Sequence, residues 1–227
     1  MEKFIIENKE IKIFENKNIE KPVPLIVLNT VMGEGEKVYK ECLKAGAENF
    51  ALCCIGKLNW DDDMTPWPAP ALSENDTPCL GKADDYLKIL TEKIIPAAKN
   101  KLQYEPEYFA IAGYSLAGLF SVYSLYKTDI FKAAASASGS FWYPDFLSFV
   151  INNKMKIFPS SLYLSLGDKE KLSDNKILQT VQDNTEKIYE HFKRQNINAF
   201  FELNKGNHFR QTTTRMAKGI VRILKNS

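Results

Sequence analysis

Residues 108–127 read YFAIAGYSLAGLFSVYSLYK, the most informative stretch of the chain about its architecture. Its first part, at 108–113, is a short apolar run that predicts a buried strand, and its last part, at 116–127, predicts a helix. Ser115 therefore lies at the turn from a strand to a helix, with small residues at 113, 117 and 118 around it. Small residues allow a turn so tight that the serine hydroxyl is pushed into the cleft above the sheet, which makes Ser115 a candidate nucleophile.

The usual pattern for such a turn is G-x-S-x-G, and here Ala117 takes the place of the second glycine. One added methyl group is compatible with the turn, but a serine in an ordinary small-residue turn stays the alternative. If Ser115 is the nucleophile, the backbone N–H of Leu116 points at the oxyanion from the positive end of the helix. A second oxyanion donor is expected in the loop after the strand at 24–29, at Thr30 first and at Val31 otherwise.

Apolar runs and helical spacings alternate on both sides of this turn. The runs at 4–6 and 11–14 flank ENKE and predict a hairpin. Pro96 should kink or break the helix around it, and Ser173 is expected to cap another helix. Further strands are predicted at 24–29, 49–56, 132–139, 160–167 and 198–204, and helices at 37–46, 82–102, 173–194 and 215–225. This alternation predicts an α/β fold with a mostly parallel central sheet, flanked by helices on both faces, and one domain over residues 1–227.

The chain contains two histidines, and one of them is placed to act as a base. His208 lies in GNHF, at 206–209, in the loop between the last predicted strand and the last predicted helix. His191 falls on the predicted helix at 173–194 among charged residues, where we expect it to be solvated. A serine after a central strand and a histidine after the last strand follow the chain order of α/β serine hydrolases. His208 is therefore the candidate general base for Ser115.

A carboxylate in LGDKE, at 166–170, is the candidate for the group that orients the imidazole. Glu170 comes three residues after Gly167 and is the first choice. Asp168 is the alternative, although its side chain can also brace the turn through a hydrogen bond. A Ser115–His208 pair that works without an acid is the third possibility.

Residues 57–80 form a long polar, proline-rich segment, and a loop of that length is usually functional in a compact domain. Trp60 and Trp67 in it are predicted to line a substrate cleft, because aromatic side chains line most small-molecule pockets. Trp142, just after the strand at 132–139, is expected to face the same cleft, with an ordinary core position as the alternative. The three aspartates at 61–63 lack the D-x-D-x-D-G spacing of a calcium loop, so no metal site is predicted.

Composition and charge argue against several other classes of protein. The 30 basic and 28 acidic residues give a net charge of +2 without a basic stripe, so no nucleic-acid partner is expected. No apolar run approaches the roughly 18 residues of a membrane span. The N-terminal MEKFIIENKE has no run long enough for a signal peptide, so we expect a cytoplasmic protein with no membrane partner.

Taken together, these motifs resemble the esterase D and enterochelin esterase-like branch of the α/β-hydrolase superfamily. The resemblance covers about residues 20–225 and rests on GYSLAGL at 113–119, SGSFW at 138–142, LGDKE at 166–170 and GNHF at 206–209. It implies the α/β-hydrolase fold and hydrolysis of a small-molecule carboxylic ester through an acyl-enzyme, with no cofactor. Two other functions stay open: an acyltransferase that uses the same Ser115 and His208, and a non-catalytic binding protein of this fold.

Overall fold

Branched and small apolar residues form the strands of the protein, of which a computed structural model describes residues 1–16, 22–73 and 76–227. Eight strands form one sheet in the order β1-β2-β4-β3-β5-β6-β7-β8. Strands β3 to β8 run parallel to one another, while β1 and β2 form an antiparallel hairpin beside β4. The strands are β1 (Glu2–Ile6), β2 (Lys9–Glu15), β3 (Leu25–Asn29), β4 (Ala51–Gly56), β5 (Phe109–Tyr114), β6 (Phe131–Ala137), β7 (Ser161–Gly167) and β8 (Ala199–Asn204). The predicted hairpin and the predicted mostly parallel sheet are confirmed.

Helices cover both faces of this sheet. One face packs against Leu90, Phe120 and Phe192, and the other against Val38 and Ile220, so two apolar cores lie on either side of the strands. The helices are α1 (Gly35–Lys44), α2 (Trp60–Asp63), α3 (Ala83–Ile89), α4 (Ile95–Lys99), α5 (Leu116–Lys127), α6 (Phe146–Asn152), α7 (Lys176–Gln179), α8 (Val181–Arg194) and α9 (Thr212–Leu224). None of the helices in the described part of the chain is both long and apolar enough to cross a membrane.

Two helix predictions need correction. The helix predicted at 173–194 is split into α7 and α8, and its cap is Asn175 rather than Ser173. The Asn175 side chain accepts hydrogen bonds from the backbone N–H groups of Ile177 and Leu178, which satisfies donors that the first turn of a helix leaves free. The helix around Pro96 is not broken, because a π-helical turn at Leu90–Ile94 joins α3 to α4 just before the proline.

The segment at 57–80 has more local structure than its composition suggested. It contains α2, and Ala69 pairs with Cys79 through two backbone hydrogen bonds of 3.0 Å. Residues 74–75 of this segment lie outside the described residues. The segment therefore folds back on itself beside the carboxyl ends of the strands.

The carboxyl ends of the parallel strands meet at one edge of the sheet. Ser115 directly follows β5, Glu170 follows the end of β7, and His208 follows the end of β8. Ligands of open α/β sheets bind at this edge. The fold therefore brings residues that are 93 and 38 positions apart in the chain to one place.

Candidate active site

Ser115 lies on a sharp turn between β5 and α5. Its backbone has φ 59° and ψ −123°, a conformation that a residue with a side chain adopts at a cost in free energy. Three backbone N–H groups, those of Gly118, Leu119 and Ser140, donate to the Ser115 carbonyl, and the Ser115 N–H donates to Ala137. These bonds hold the turn, so the surrounding structure maintains the strained position of the serine.

The small residues around Ser115 are required by the space in the turn. A Cβ atom at Gly113 would lie 2.2 Å from the carbonyl oxygen of Ala117 and 2.6 Å from its Cβ. A Cβ at Gly118 would lie 2.7 Å from Ser136 Oγ. Ala117 therefore fits in the place of the usual glycine because Gly113, opposite it, has no side chain.

His208 joins the serine to a carboxylate. Its Nε2 lies 3.1 Å from Ser115 Oγ, and its Nδ1 lies 2.7 Å from Glu170 Oε2. Both contacts are within hydrogen-bond distance. The structure thus brings together the three residues that the sequence singled out, in the order serine, imidazole, carboxylate.

Glu170 is buried behind the imidazole, and its second oxygen is fully engaged. Oε1 accepts hydrogen bonds from Ser138 Oγ at 2.7 Å and from the Gly167 N–H at 2.6 Å. Burial raises the pKa of a carboxyl group, but the His208 contact and the Gly167 N–H outweigh it, so the pKa of Glu170 lies below its ordinary value. Glu170 is therefore a carboxylate at neutral pH.

Asp168 has a different place from Glu170. Its side chain is exposed, and Oδ1 accepts a hydrogen bond of 2.8 Å from the backbone N–H of Gly206. Gly206 begins the GNHF loop, so Asp168 braces the loop that carries His208 rather than contacting the imidazole itself.

Several residues that contact this site have no signal in the sequence. The Tyr114 hydroxyl donates a 2.6 Å hydrogen bond to the backbone carbonyl of His208, and its ring meets the imidazole edge-on. Arg215 is buried, with Nη1 3.4 Å from Glu170 Oε1. Ser138 reaches Glu170, and Ser140 Oγ lies 3.3 Å from Ser115 Oγ. The SGSFW motif supplied the two serines, but nothing in its pattern assigned them these contacts.

The structure contradicts Thr30 as an oxyanion donor. Its backbone N–H donates to the Ile55 carbonyl at 2.9 Å, and its hydroxyl donates to the same oxygen. The N–H is thus consumed by the pairing that continues β3 along β4. Val31, the next residue, is exposed and lines a cavity of about 560 Å³ beside Ser115. Leu116 is the first residue of α5, so its N–H has no acceptor within the helix.

Three cavities, of about 560, 390 and 390 Å³, have Ser115 in their walls. We call them the first, second and third clefts. His208 lines the first and second clefts but not the third. Trp60 lines the first and third clefts, and Trp142 lines the second and third. That either ring contacts a substrate stays a prediction.

Trp67 was predicted to line the cleft, and that prediction is wrong. Its Nε1 donates to the Pro144 carbonyl at 3.0 Å, and its ring packs among Tyr143, Phe146 and Phe149 and lines none of the three clefts. Phe146 and Phe149 of α6, with Tyr143 just before it, form the apolar surroundings of the Trp67 ring, which the sequence did not reveal.

The aspartates of α2 are engaged with other protein groups. Asp63 pairs with the buried Lys9 and accepts from the Asn59 N–H, and Asp62 accepts from the backbone N–H of Leu80. Among the described residues no group of three or more His, Cys, Asp or Glu side chains is placed to hold a metal ion. The prediction that His191 is solvated also needs correction, because its Nε2 is buried and lacks a hydrogen-bond partner among the described residues.

A comparison with protein families assigns the chain. Residues 32–212 match the sequence model of the family described as "Putative esterase". The chain belongs to this esterase family. The matched range includes Ser115, Glu170 and His208, and it ends where α9 begins.

Individual relatives of this esterase-family chain are distant. The protein YbbA of Bacillus subtilis (strain 168), described as uncharacterized, is 28% identical over 135 residues, which is 58% of this chain and 54% of that one. The chain thus matches about half the length of that curated relative. The IroE-like serine hydrolase from Shewanella oneidensis is similar in structure, with a TM-score of 0.76 and 15% identity over 96% of this chain and 76% of that one. The siderophore hydrolase EstA from Aspergillus nidulans has a TM-score of 0.75 and 18% identity over 96% and 90%. These likenesses confirm the α/β-hydrolase fold.

Proposed function

We propose that this member of the esterase family is a serine esterase whose nucleophile is Ser115, whose general base is His208 and whose acid is Glu170. One observation carries the proposal: the imidazole bridges Ser115 Oγ and a buried carboxylate through its two nitrogens, at 3.1 and 2.7 Å. The strained backbone of Ser115 presents the hydroxyl at the junction of the three clefts, which is the place that a nucleophile needs.

The proposed reaction follows from this arrangement. Ser115 Oγ attacks the ester carbonyl carbon while its proton passes to His208 Nε2. The Nδ1–H of His208 donates to Glu170, whose negative charge stabilises the imidazolium that forms. The Leu116 N–H, with an N–H of the Val31 loop, binds the oxyanion. When the tetrahedral intermediate collapses, His208 protonates the leaving alcohol and an acyl-enzyme remains, which water hydrolyses by the same steps.

The clefts suggest how the two sides of the ester are placed. The leaving oxygen takes its proton from His208, so the alcohol belongs in a cleft that His208 lines, the first or the second. The acyl group then belongs in the third cleft, between Trp60 and Trp142. EstA, which has this fold, is named a siderophore hydrolase, and an ester with a bulky group on each side suits three clefts of this size. That the chain is one domain, is cytoplasmic and acts without a cofactor stays a prediction.

The experiment that tests the function measures product release from p-nitrophenyl esters of increasing acyl length. An acyl-enzyme predicts a burst of p-nitrophenol close to the enzyme concentration when deacylation is slow. Addition of simple alcohols distinguishes an acyltransferase from an esterase, because an alcohol that outcompetes water for the acyl group gives mainly a new ester. Absence of turnover and of a burst with every ester would favour a binding protein of this fold.

Exchange of the carboxylates at 168 and 170 separates their roles. Glu170→Gln is expected to lower kcat by up to about 10⁴-fold, the scale seen when the acid of a Ser-His-Asp triad is neutralised. Asp168→Asn is the matched control and is expected to cost far less, because Asp168 only braces Gly206. Both variants are measured for kcat after circular dichroism has shown that they fold. If Asp168→Asn is the crippled variant, the assignment is reversed; if neither loses more than about tenfold, the site works as a Ser115–His208 pair.

Trp142→Ala is expected to change the preference for acyl size, because the ring lies between the second and third clefts. The ratio of kcat/KM for long and short acyl esters should change by about tenfold or more. A difference of one methylene group in an apolar pocket already changes such a ratio by about tenfold, and the indole ring is larger. Trp67→Phe is the control, since Trp67 packs outside the clefts, and it should alter thermal stability without altering this ratio. An unchanged ratio in Trp142→Ala would show that Trp142 does not contact the acyl group.

A further inference from the structure

Arg215 is an arginine buried directly behind the proposed acid. It lies in the first turn of α9, and only 1% of its surface is exposed. Its guanidinium Nη1 lies 3.4 Å from Glu170 Oε1, on the side of the carboxylate away from the imidazole. No motif in the sequence indicates this contact, because Arg215 comes seven residues after His208 on a different element.

The guanidinium also links the separate segments that form the site. Nη1 donates to Ser138 Oγ and to the Tyr114 hydroxyl, each at 3.3 Å, and Nη2 donates to the Lys205 carbonyl at 3.2 Å. Tyr114 in turn donates to the carbonyl of His208. One side chain therefore contacts the carboxylate, the SGS turn and the start of the loop that carries the imidazole.

Gly167, at the end of β7, leaves the space that the Arg215 guanidinium occupies. A Cβ atom at Gly167 would lie 3.0 Å from both Nη atoms of Arg215 and 2.2 Å from the carbonyl of Gly206. Residue 167 at the end of β7 therefore cannot carry a side chain where the guanidinium packs. The Arg215 guanidinium therefore occupies a closely packed site inside the protein and does not lie on the surface.

Stability alone does not account for a cation in this position. Removing a guanidinium from water carries a large desolvation penalty, and one carboxylate at 3.4 Å returns only part of it. The Arg215 Nε is buried and has no hydrogen-bond partner among the described residues. Replacing both partners of a buried ion pair with apolar side chains of similar size is often neutral or stabilising, whereas removing one partner alone is destabilising.

We propose that Arg215 is a positioning residue of the esterase reaction. It holds the Glu170 carboxylate and the His208 loop in a fixed position relative to each other, and its positive charge balances the negative charge of the carboxylate. This inference rests on the proposed function of Ser115, His208 and Glu170. Positioning matters because a misplacement of about 1 Å, caused by a change away from the reacting atoms, costs up to about 100-fold in rate.

The charge has a second consequence, for the pH dependence. The charged or titratable side chains that face the Glu170 carboxylate are His208, Arg215 from α9 and Tyr114 from β5. Asp168 contacts the same loop only at Gly206. Removal of the one permanent cation among them makes the Glu170–His208 pair bind a proton more readily. The acid limb of the pH–kcat/KM profile then moves to higher pH.

The test compares Arg215→Met and Arg215→Lys with Lys218→Met, which removes an exposed cation of the same helix that pairs with Glu202. Arg215→Met leaves the buried Glu170 carboxylate without its cation, so it should melt at a lower temperature than the wild type. At a temperature where it is folded, it should lose kcat by about 10- to 100-fold with little change in KM and show the acid limb at higher pH. Arg215→Lys keeps the charge without the planar fork, so its acid limb should stay in place while kcat recovers only in part. Lys218→Met should match the wild type in kcat and in the position of the acid limb.

Labelling of Ser115 by a fluorophosphonate keeps this result separate from the proposed function. If the wild type is not labelled at Ser115, the proposed reaction fails, whatever Arg215 does. If the wild type is labelled, slower labelling of Arg215→Met supports the proposal. The proposal would be overturned if folded Arg215→Met had the labelling rate, kcat and pH profile of the wild type. It would also be overturned if Arg215→Met and Arg215→Lys lost kcat equally while the acid limb of Arg215→Met stayed in place.

If Arg215→Met does not fold, Arg215→Lys decides the matter. Partial loss of kcat at an unmoved acid limb supports the proposal, and full activity contradicts it.

Discussion

Replacing His208 by alanine is expected to lower kcat for ester hydrolysis by about 10⁶-fold, the loss seen when the histidine of a serine-protease triad is removed. Without the imidazole, nothing within 3.5 Å of Ser115 Oγ except the Ser140 hydroxyl remains to accept its proton among the described side chains. A serine hydroxyl that keeps its proton is a poor nucleophile at neutral pH. The measurement is steady-state kcat with the best ester of the p-nitrophenyl series.

His191→Ala is the matched control for this variant, since the chain contains only these two histidines. His191 lies on α8, and burial together with the neighbouring Arg194 lowers its pKa. It lines none of the three clefts, so its replacement should leave kcat nearly unchanged. Comparable losses in the two variants, with both folded, would mean that His208 is not the base.

Replacing Ser115 by alanine is expected to remove activity to a similar extent, about 10⁶-fold in kcat. The two losses should not add in the double variant, because the serine and the imidazole act as one unit. Substrate binding should survive, since the clefts and the Leu116 N–H are unaffected. The measurements are kcat of each single variant and of the double variant, and the binding of a non-hydrolysable ester analogue to Ser115→Ala. Additive losses would show that the two residues act in separate steps.

The parts of the site that the sequence predicted are those governed by local sterics and chain order. Gly113, Ala117 and Gly118 revealed the turn because only small side chains fit within it. His208 was identified by scarcity and by its place after the last strand. Glu170 and Asp168 could not be separated by sequence, because their difference depends on the approach of Gly206 to one carboxylate and of the imidazole to the other.

The parts that the sequence missed depend on contacts between distant segments. Trp67 has the composition of a cleft residue, but Tyr143 and Phe149, more than 70 positions later, provide an apolar site that draws it away. Thr30 was the expected donor by position, yet its N–H donates to the Ile55 carbonyl of β4. Arg215 had no signal, because a buried arginine on an amphipathic helix looks in sequence like a solvated one.

Covalent labelling by a fluorophosphonate, followed by peptide mass spectrometry, identifies the nucleophile directly. Such a probe reacts with a serine only where a base and an oxyanion site activate it. We expect one adduct per chain, on the peptide that contains Ser115, and none in Ser115→Ala. We also expect strongly slowed labelling in His208→Ala. An adduct at another serine, such as Ser140, or the same labelling in Ser115→Ala as in the wild type, would contradict the assignment of Ser115 as the nucleophile.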